Sequence, residues 1–356
     1  MLGKQTIHVR SKITVQAEQI YLSAYGRNTV QGEIPGTTPD NPGPDLTLPG
    51  EEAGVLELTL PDTGPQNELP IPESFVNEVK KDAKTQVLVE DTEKTVNHVC
   101  SLIKQGHFLK LTQMQQTDAT WQSYIYNLQR GTMKWLINSS IDTLPTKTNL
   151  RLWGKAVNDK CFCGQRQTLN HILNCCPVSL AQGRYTARHD NILEYISRCL
   201  NKDKYKCFVD IDGQQTVGGG TLPPSLVVTN LKPDIVIIDQ KNKLAAIFEL
   251  TVPGERRIEV ANTLKADKYQ HFSRDIQTHT VSLTPFEVGS NTGFITRDNR
   301  KRLQSLHKFC SKQTKFKKFV ENISAIAVLS SYMIFNHRNV EPWANPGPIM
   351  APFSNQ

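Results

Sequence analysis

The chain has 356 residues, of which 38% are hydrophobic and 20 are proline; this length allows two or three compact units, and the low apolar share predicts that part of it stays unpacked. The longest charge-free apolar stretch near either end, Ile323 to Phe335, falls short of the ~18 residues that cross a bilayer, so no membrane span is expected. The opening residues lack the apolar core of a secretory signal, so the eight cysteines are expected to be reduced thiols and not a disulfide scaffold.

Net charge is +7, with four basic and ten acidic side chains in residues 1–75, which leaves a surplus of 13 positive charges in residues 76–356. Such a field favours polyanions, nucleic acid first among them.

Taken in chain order, the Glu33–Pro72 stretch has nine prolines, five glycines and no lysine or arginine. That composition predicts a disordered arm over 1–74. Helical spacing begins at Phe75, continues through Val96, Val99 and Leu102, and resumes with Trp121, Tyr124, Leu128, Met133 and Leu136, so a region of linking helices is expected over 75–154. Pro145 interrupts it, because proline disfavours helix in the residue before it. Beyond the cysteines at 161–176, Ile192, Leu193, Ile196 and Leu200 repeat the helical pattern. A Gly- and Pro-rich loop follows at 218–224.

The period then changes. Ile235–Ile238 and Leu244–Phe248 are short apolar runs separated by a polar turn, which reads as a hairpin of two buried strands. A helix at about 257–275, a strand at about 278–288, two helices from about 298 to 336 and a flexible tail over 341–356 complete an α/β order without internal repeats.

Two constellations carry chemistry. In the first, Cys161, Cys163, His171 and Cys176 lie within sixteen residues. Zn²⁺ takes four thiolate or imidazole donors in a tetrahedron, and two thiolates from a tight turn plus a His and a Cys about one helical turn apart supply them. Cys175 competes with Cys176 for the fourth position, and the single residue between Cys161 and Cys163 is tighter than usual.

In the second, a hairpin turn centred between Lys241 and Asn242 sets Asp234 opposite Glu249. Facing carboxylates repel, so removing Asp234 is expected to cost little stability. Together they suit a hard cation such as Mg²⁺, which in phosphodiester hydrolysis binds a phosphate oxygen and the attacking water. Thr251 occupies the position where a Glu-x-Lys pattern would have its lysine, so the ammonium must come from Lys265 or Lys268, three residues apart on the next helix.

The run Asp142–Trp153, the cysteine–histidine cluster, Arg188-His189, Lys232-Pro-Asp234, Glu249 and Lys265-x-x-Lys268-Tyr269 occur in one order. That order resembles the C-terminal region of site-specific non-LTR retrotransposon reverse transcriptase polyproteins, over about residues 130–340. The resemblance implies a helical linker, a gag-like CCHC zinc knuckle over 155–180, and a restriction-like endonuclease of the PD-(D/E)xK class over 181–340, with a central mixed sheet flanked by helices. It makes Asp234 and Glu249 ligands of a catalytic Mg²⁺, Lys265 or Lys268 the catalytic lysine, and Arg184, Arg188 and His189 DNA-facing residues.

The implied activity is DNA nicking, with DNA and possible element RNA as partners and the nucleus as location. No polymerase is visible, since an Asp-Asp pair of that type is absent and 130 residues before the knuckle are too few. A rival reading follows: a nucleic-acid-binding module in which the knuckle and the positive charge are used while cleavage is not.

Overall fold

The computed structural model describes residues 73–340 apart from 116, 118 and 270, together with 343 and 347. The arm expected over 1–74 lies almost wholly outside the described residues, as does most of the expected tail. Two units are distinguished, one of residues 25–95 and the other including residues 96–356. The division falls inside α1 (Glu73–Ser101). Residues 73–95 expose Phe75, Val79, Val87, Leu88 and Val89.

The larger unit is organised around four strands, β1 (Lys206–Val209), β2 (Ile235–Asp239), β3 (Leu244–Thr251) and β4 (Thr280–Glu287), which hydrogen-bond in that order. The first three are antiparallel, and β4 runs parallel to β3 after the crossover formed by α7 (Ile258–Tyr269) and α8 (Phe272–Asp275). Apolar residues on successive positions of β2 and β3 allow burial on both faces. Ile235, Ile237, Ala246 and Phe248 pack with α6 (Arg184–Cys199), α9 (Arg297–His307) and α10 (Phe316–Asn336). Val236, Ile238, Ala245 and Ile247 turn to the other side, against Tyr269, Phe272 and Ile276. The result is a mixed four-stranded sheet between two helical layers. β1, which the sequence reading left without structure, is a four-residue strand ordered by its pairing with β2.

Four further helices precede the sheet: α2 (His107–Met114), α3 (Arg130–Ser140), α4 (Lys147–Leu152) and α5 (Pro177–Ala181). Helix α4 starts just after Pro145, where Thr146 Oγ1 accepts from the Asn149 N–H at 3.1 Å and so caps its first turn. One hydrophobic cluster joins Phe108, Trp121 and Trp135 of the linking region to Leu173 beside the knuckle and Phe294 and Phe335 beyond it. That core crosses the expected boundaries at 154/155 and 180/181.

Helix α10 is long and apolar enough to cross a membrane by length and composition. Here it is a core helix with fourteen of its 21 residues buried. Its polar side chains have protein partners, Asn322 donating to Tyr195 Oη at 3.2 Å and Ser324 to the Gly293 carbonyl at 2.7 Å. Burial on all sides within the protein accounts for its apolar character.

Candidate functional site

The cysteine–histidine cluster is assembled by two tight pieces of backbone. Cys161 N–H donates to the Gln165 carbonyl at 2.8 Å and Gly164 N–H to the Cys161 carbonyl at 2.9 Å, closing a turn that brings Cys161 and Cys163 together. Gly164 has φ +82°, a left-handed conformation that strains any residue with a Cβ. The second piece is a π-turn over His171–Cys175, begun where Thr168 Oγ1 accepts from the His171 N–H. Its i to i+5 repeat, wider than an α-turn, favours the pairing of His171 with Cys176 over that with Cys175.

The four donor atoms of Cys161, Cys163, His171 and Cys176 all lie within 4.8 Å of one another. Sγ of Cys161 and Cys176 are 3.9 Å apart, and Sγ of Cys163 is 3.2 Å from His171 Nε2. A tetrahedral zinc with ~2.3 Å bonds to sulfur sets two sulfurs about 3.8 Å apart, so the donor set fits that ion. Burial holds His171 below its ordinary pKa, in the neutral form that coordinates. Burial also opposes ionisation of Cys176, but donors from Ser179 and Val178 at the start of α5 prevail and lower its pKa. Cys175 is exposed, and the alternative left open by spacing is resolved in favour of Cys176.

The second constellation lies at the end of the β2–β3 hairpin. Ile235 pairs with Phe248 and Asp239 with Leu244, the register expected from the turn, and the alternation that buries Val236 and Ile247 toward α7 turns Asp234 and Glu249 the same way. Glu249 Oε2 accepts from the Asp234 N–H at 3.0 Å, and Asp234 Oδ2 accepts from the Leu250 N–H at 2.7 Å. Lys265 Nζ lies 2.5 Å from Glu249 Oε1. Burial, with the Asp234 charge adding to it, pushes the Glu249 carboxyl up, and Lys265 offsets part of that effect. Lys268 instead donates to Tyr269 Oη at 2.8 Å, and that hydroxyl donates to Glu249 Oε1 at 3.1 Å. Lys265 is thus in direct contact with the carboxylates, whereas Lys268 reaches them through Tyr269.

Helix α6 sends His189 to the same place, Nε2 lying 3.2 Å from Asp234 Oδ2 and Nδ1 3.2 Å from Asp190 Oδ1. Burial opposes charge on the ring, but these two carboxylates outweigh it and raise its pKa to about 10. Arg184 and Arg188 do not join it, and the expectation that they face DNA is corrected. Both are buried. Arg184 donates to the His337 and Val340 carbonyls at 2.7 and 2.8 Å. Arg188 donates to Ser331 Oγ, Asn174 Oδ1 and the Val252 carbonyl, tying the π-turn to the end of β3 and to α10.

Two residues without an assigned role in the sequence reading enter the site. Tyr269 stands four residues after Lys265, on the same face of α7, and that spacing was a readable signal. Asp210 follows β1, and its N–H donates to the Asp234 carbonyl at 2.9 Å. Its position depended on a strand that the local pattern did not announce.

The expected Mg²⁺ site is not ready-made. Among the described residues, the cysteine–histidine cluster is the group of three or more His, Cys, Asp or Glu whose donor atoms converge. Glu249 has both oxygens in hydrogen bonds or an ion pair, and Asp234 Oδ2 is shared by Leu250 and His189.

Protein-family models give no match to this chain, and a search of curated proteins gives none either. The likeness to retrotransposon polyproteins rests on the order of motifs alone. What stands on structure is an α/β domain with a mixed four-stranded sheet flanked by helices, carrying a Cys/Cys/His/Cys cluster of the zinc-binding type.

Proposed function

We propose that this protein is a zinc-stapled nucleic-acid-binding module. One observation carries the reading: the surface around the metal-type cluster interleaves exposed cations with exposed rings. Arg151, Lys155, Lys160 and Arg166 are exposed, as are Trp153 and Phe162, and Lys147 Nζ lies 5.4 Å from the centre of the Phe162 ring. The acid among them, Asp159, is buried and paired with Arg166 at 2.9 Å and Arg151 at 3.5 Å. Bases stack on such rings while cations neutralise phosphates. Zinc held by Cys161, Cys163, His171 and Cys176 would fix the turn that displays Phe162. Binding of a labelled DNA or RNA strand should weaken linearly in log affinity against log salt, and Trp153→Ala with Phe162→Ala should weaken it with the zinc content unchanged. Affinity that ignores both salt and the two rings would overturn the reading.

A second reading adds phosphodiester cleavage, favoured by the meeting of Asp234, Glu249 and Lys265. Burying two carboxylates side by side costs stability, and groups held at such cost in a cluster are candidates for chemistry. Mg²⁺ held by Asp234 and Glu249 would polarise a phosphate. Lys265 would then orient the attacking water, and His189 would hold the Asp234 carboxylate. Origin from a retrotransposon polyprotein, with DNA and element RNA as partners in the nucleus, belongs to this reading. Supercoiled plasmid incubated with Mg²⁺ or Mn²⁺ tests it: nicking by the native protein and none by Lys265→Ala supports cleavage, and a native protein that binds but never nicks leaves binding alone.

A further inference from the structure

A cleft of about 500 Å³ lies where the α1–α2 turn, the end of α3, the segment before His171 and the turn after β3 meet. None of the metal-type ligands or sheet-end carboxylates lines it. Its cations are Lys104 from the first turn and Arg256 and Arg257 from the last, and none of the three forms a salt bridge among the described residues. Lys104 Nζ reaches Asn149 Oδ1 at 3.3 Å and Arg256 Nη2 reaches the Ile103 carbonyl at 3.4 Å, contacts that hold the side chains in place without neutralising them.

Two carboxylates also line the cleft. Glu255 is turned inward, its Oε1 accepting from the Thr292 N–H at 2.7 Å and the Asn291 N–H at 2.9 Å. Asp142 is half-buried, and desolvation pushes its carboxyl above the ordinary range even with Lys104 and Arg256 nearby. Glu255 is buried and Asp142 half-buried, whereas Arg256 and Arg257 are exposed.

The remainder of the lining mixes apolar side chains with the hydroxyls and amides of Ser139, Ser140, Thr168, Asn170, Asn291 and Thr292. Phe108 and Leu169 are buried beneath the cleft. His107 Nε2 is buried with no hydrogen-bond partner. A flat heteroaromatic ring suits such a floor, a polar ring edge suits Nε2, and an anionic group suits the cations. Pockets of ~300–1,000 Å³ take ligands of this size.

We propose that this cleft binds one nucleoside phosphate, its base on the Phe108–Leu169 floor and its phosphate against Lys104, Arg256 and Arg257. The ligand is either a free nucleotide or the phosphorylated end of a strand, which share this chemistry. The site goes beyond the nucleic-acid-binding surface at Trp153 and Phe162 and does not depend on it.

Calorimetric titration of the full chain tests the assignment with AMP, adenosine, and a tetranucleotide with or without a 5′-phosphate. A phosphorylated probe should bind at least about tenfold more tightly than its unphosphorylated counterpart, because charge-assisted hydrogen bonds to phosphate are the strong ones. The double variant Lys104→Gln, Arg257→Gln should lose that advantage while keeping the native melting temperature and zinc content. Trp153→Ala should leave AMP binding unchanged, which separates this site from the knuckle surface. Tighter binding of AMP marks a free nucleotide as ligand, and tighter binding of the phosphorylated tetranucleotide marks a strand end. Equal affinities with and without phosphate, or a double variant that binds as the native protein does, would overturn the proposal.

Discussion

The cysteine–histidine cluster and the sheet-end carboxylates both gather chemically potent side chains, but they are satisfied differently. The sulfurs and the His171 imidazole turn toward one another, with donor atoms 3.2 and 3.9 Å apart, so their best partner is an ion from outside the chain. The carboxylates are supplied from within, by the N–H groups of Asp234 and Leu250 and by Lys265, Tyr269 and His189. The first group is therefore arranged to take a metal directly, whereas the second is already partnered within the chain and must exchange partners to take one.

That contrast is most exposed to metal removal. Structural zinc contributes apparent binding free energies of ~10–16 kcal/mol in small modules, so chelation, or Cys161→Ser, should cause the largest loss of structure. One equivalent of zinc by elemental analysis, lost together with the melting transition, is the expected result; a folded, reduced sample without zinc would break the comparison. Arg188→Ala comes next, since it strips buried Ser331 and half-buried Asn174 and Val252 of their donor and should cost about 3 kcal/mol in denaturant unfolding, on the scale of hydrogen bonds to charged groups.

Asp234→Ala sharpens the other half of the comparison. Facing charges alone predict almost no cost, but the substitution leaves the Leu250 N–H buried without its acceptor, and ~1–3 kcal/mol should be lost. Asp234→Asn, which keeps an acceptor oxygen, should recover most of it. A smaller effect is expected at Glu287, on β4, where burial raises the carboxyl above its ordinary value against the opposing Asn262 and Arg302. The folded state then binds a proton more readily than the unfolded one, so this group's stabilisation is present below about pH 4.5 and is lost as pH rises through the raised pKa. Glu287→Gln should remove that part of the pH slope in denaturant titrations. Least affected is Cys175→Ala, which should stay within about 0.5 kcal/mol of the native protein and retain its zinc, because Cys175 is exposed outside the ligand set.

Local sequence determined the features whose causes are local. The polar turn between two apolar runs set the hairpin register, and a period of two then forced Asp234 and Glu249 onto one face. Cysteine and histidine spacing likewise announced the metal-type cluster. Tertiary structure decided what spacing leaves open: the π-turn selected Cys176 over Cys175, and contact singled out Lys265 over Lys268. It also buried Arg184 and Arg188, which the resemblance set facing DNA, because the carbonyls to which they donate are brought from elsewhere in the chain. Strand β1 and Asp210 depended wholly on such long-range partners. A four-residue edge strand has too little pattern of its own, and its order comes from the neighbour to which it hydrogen-bonds.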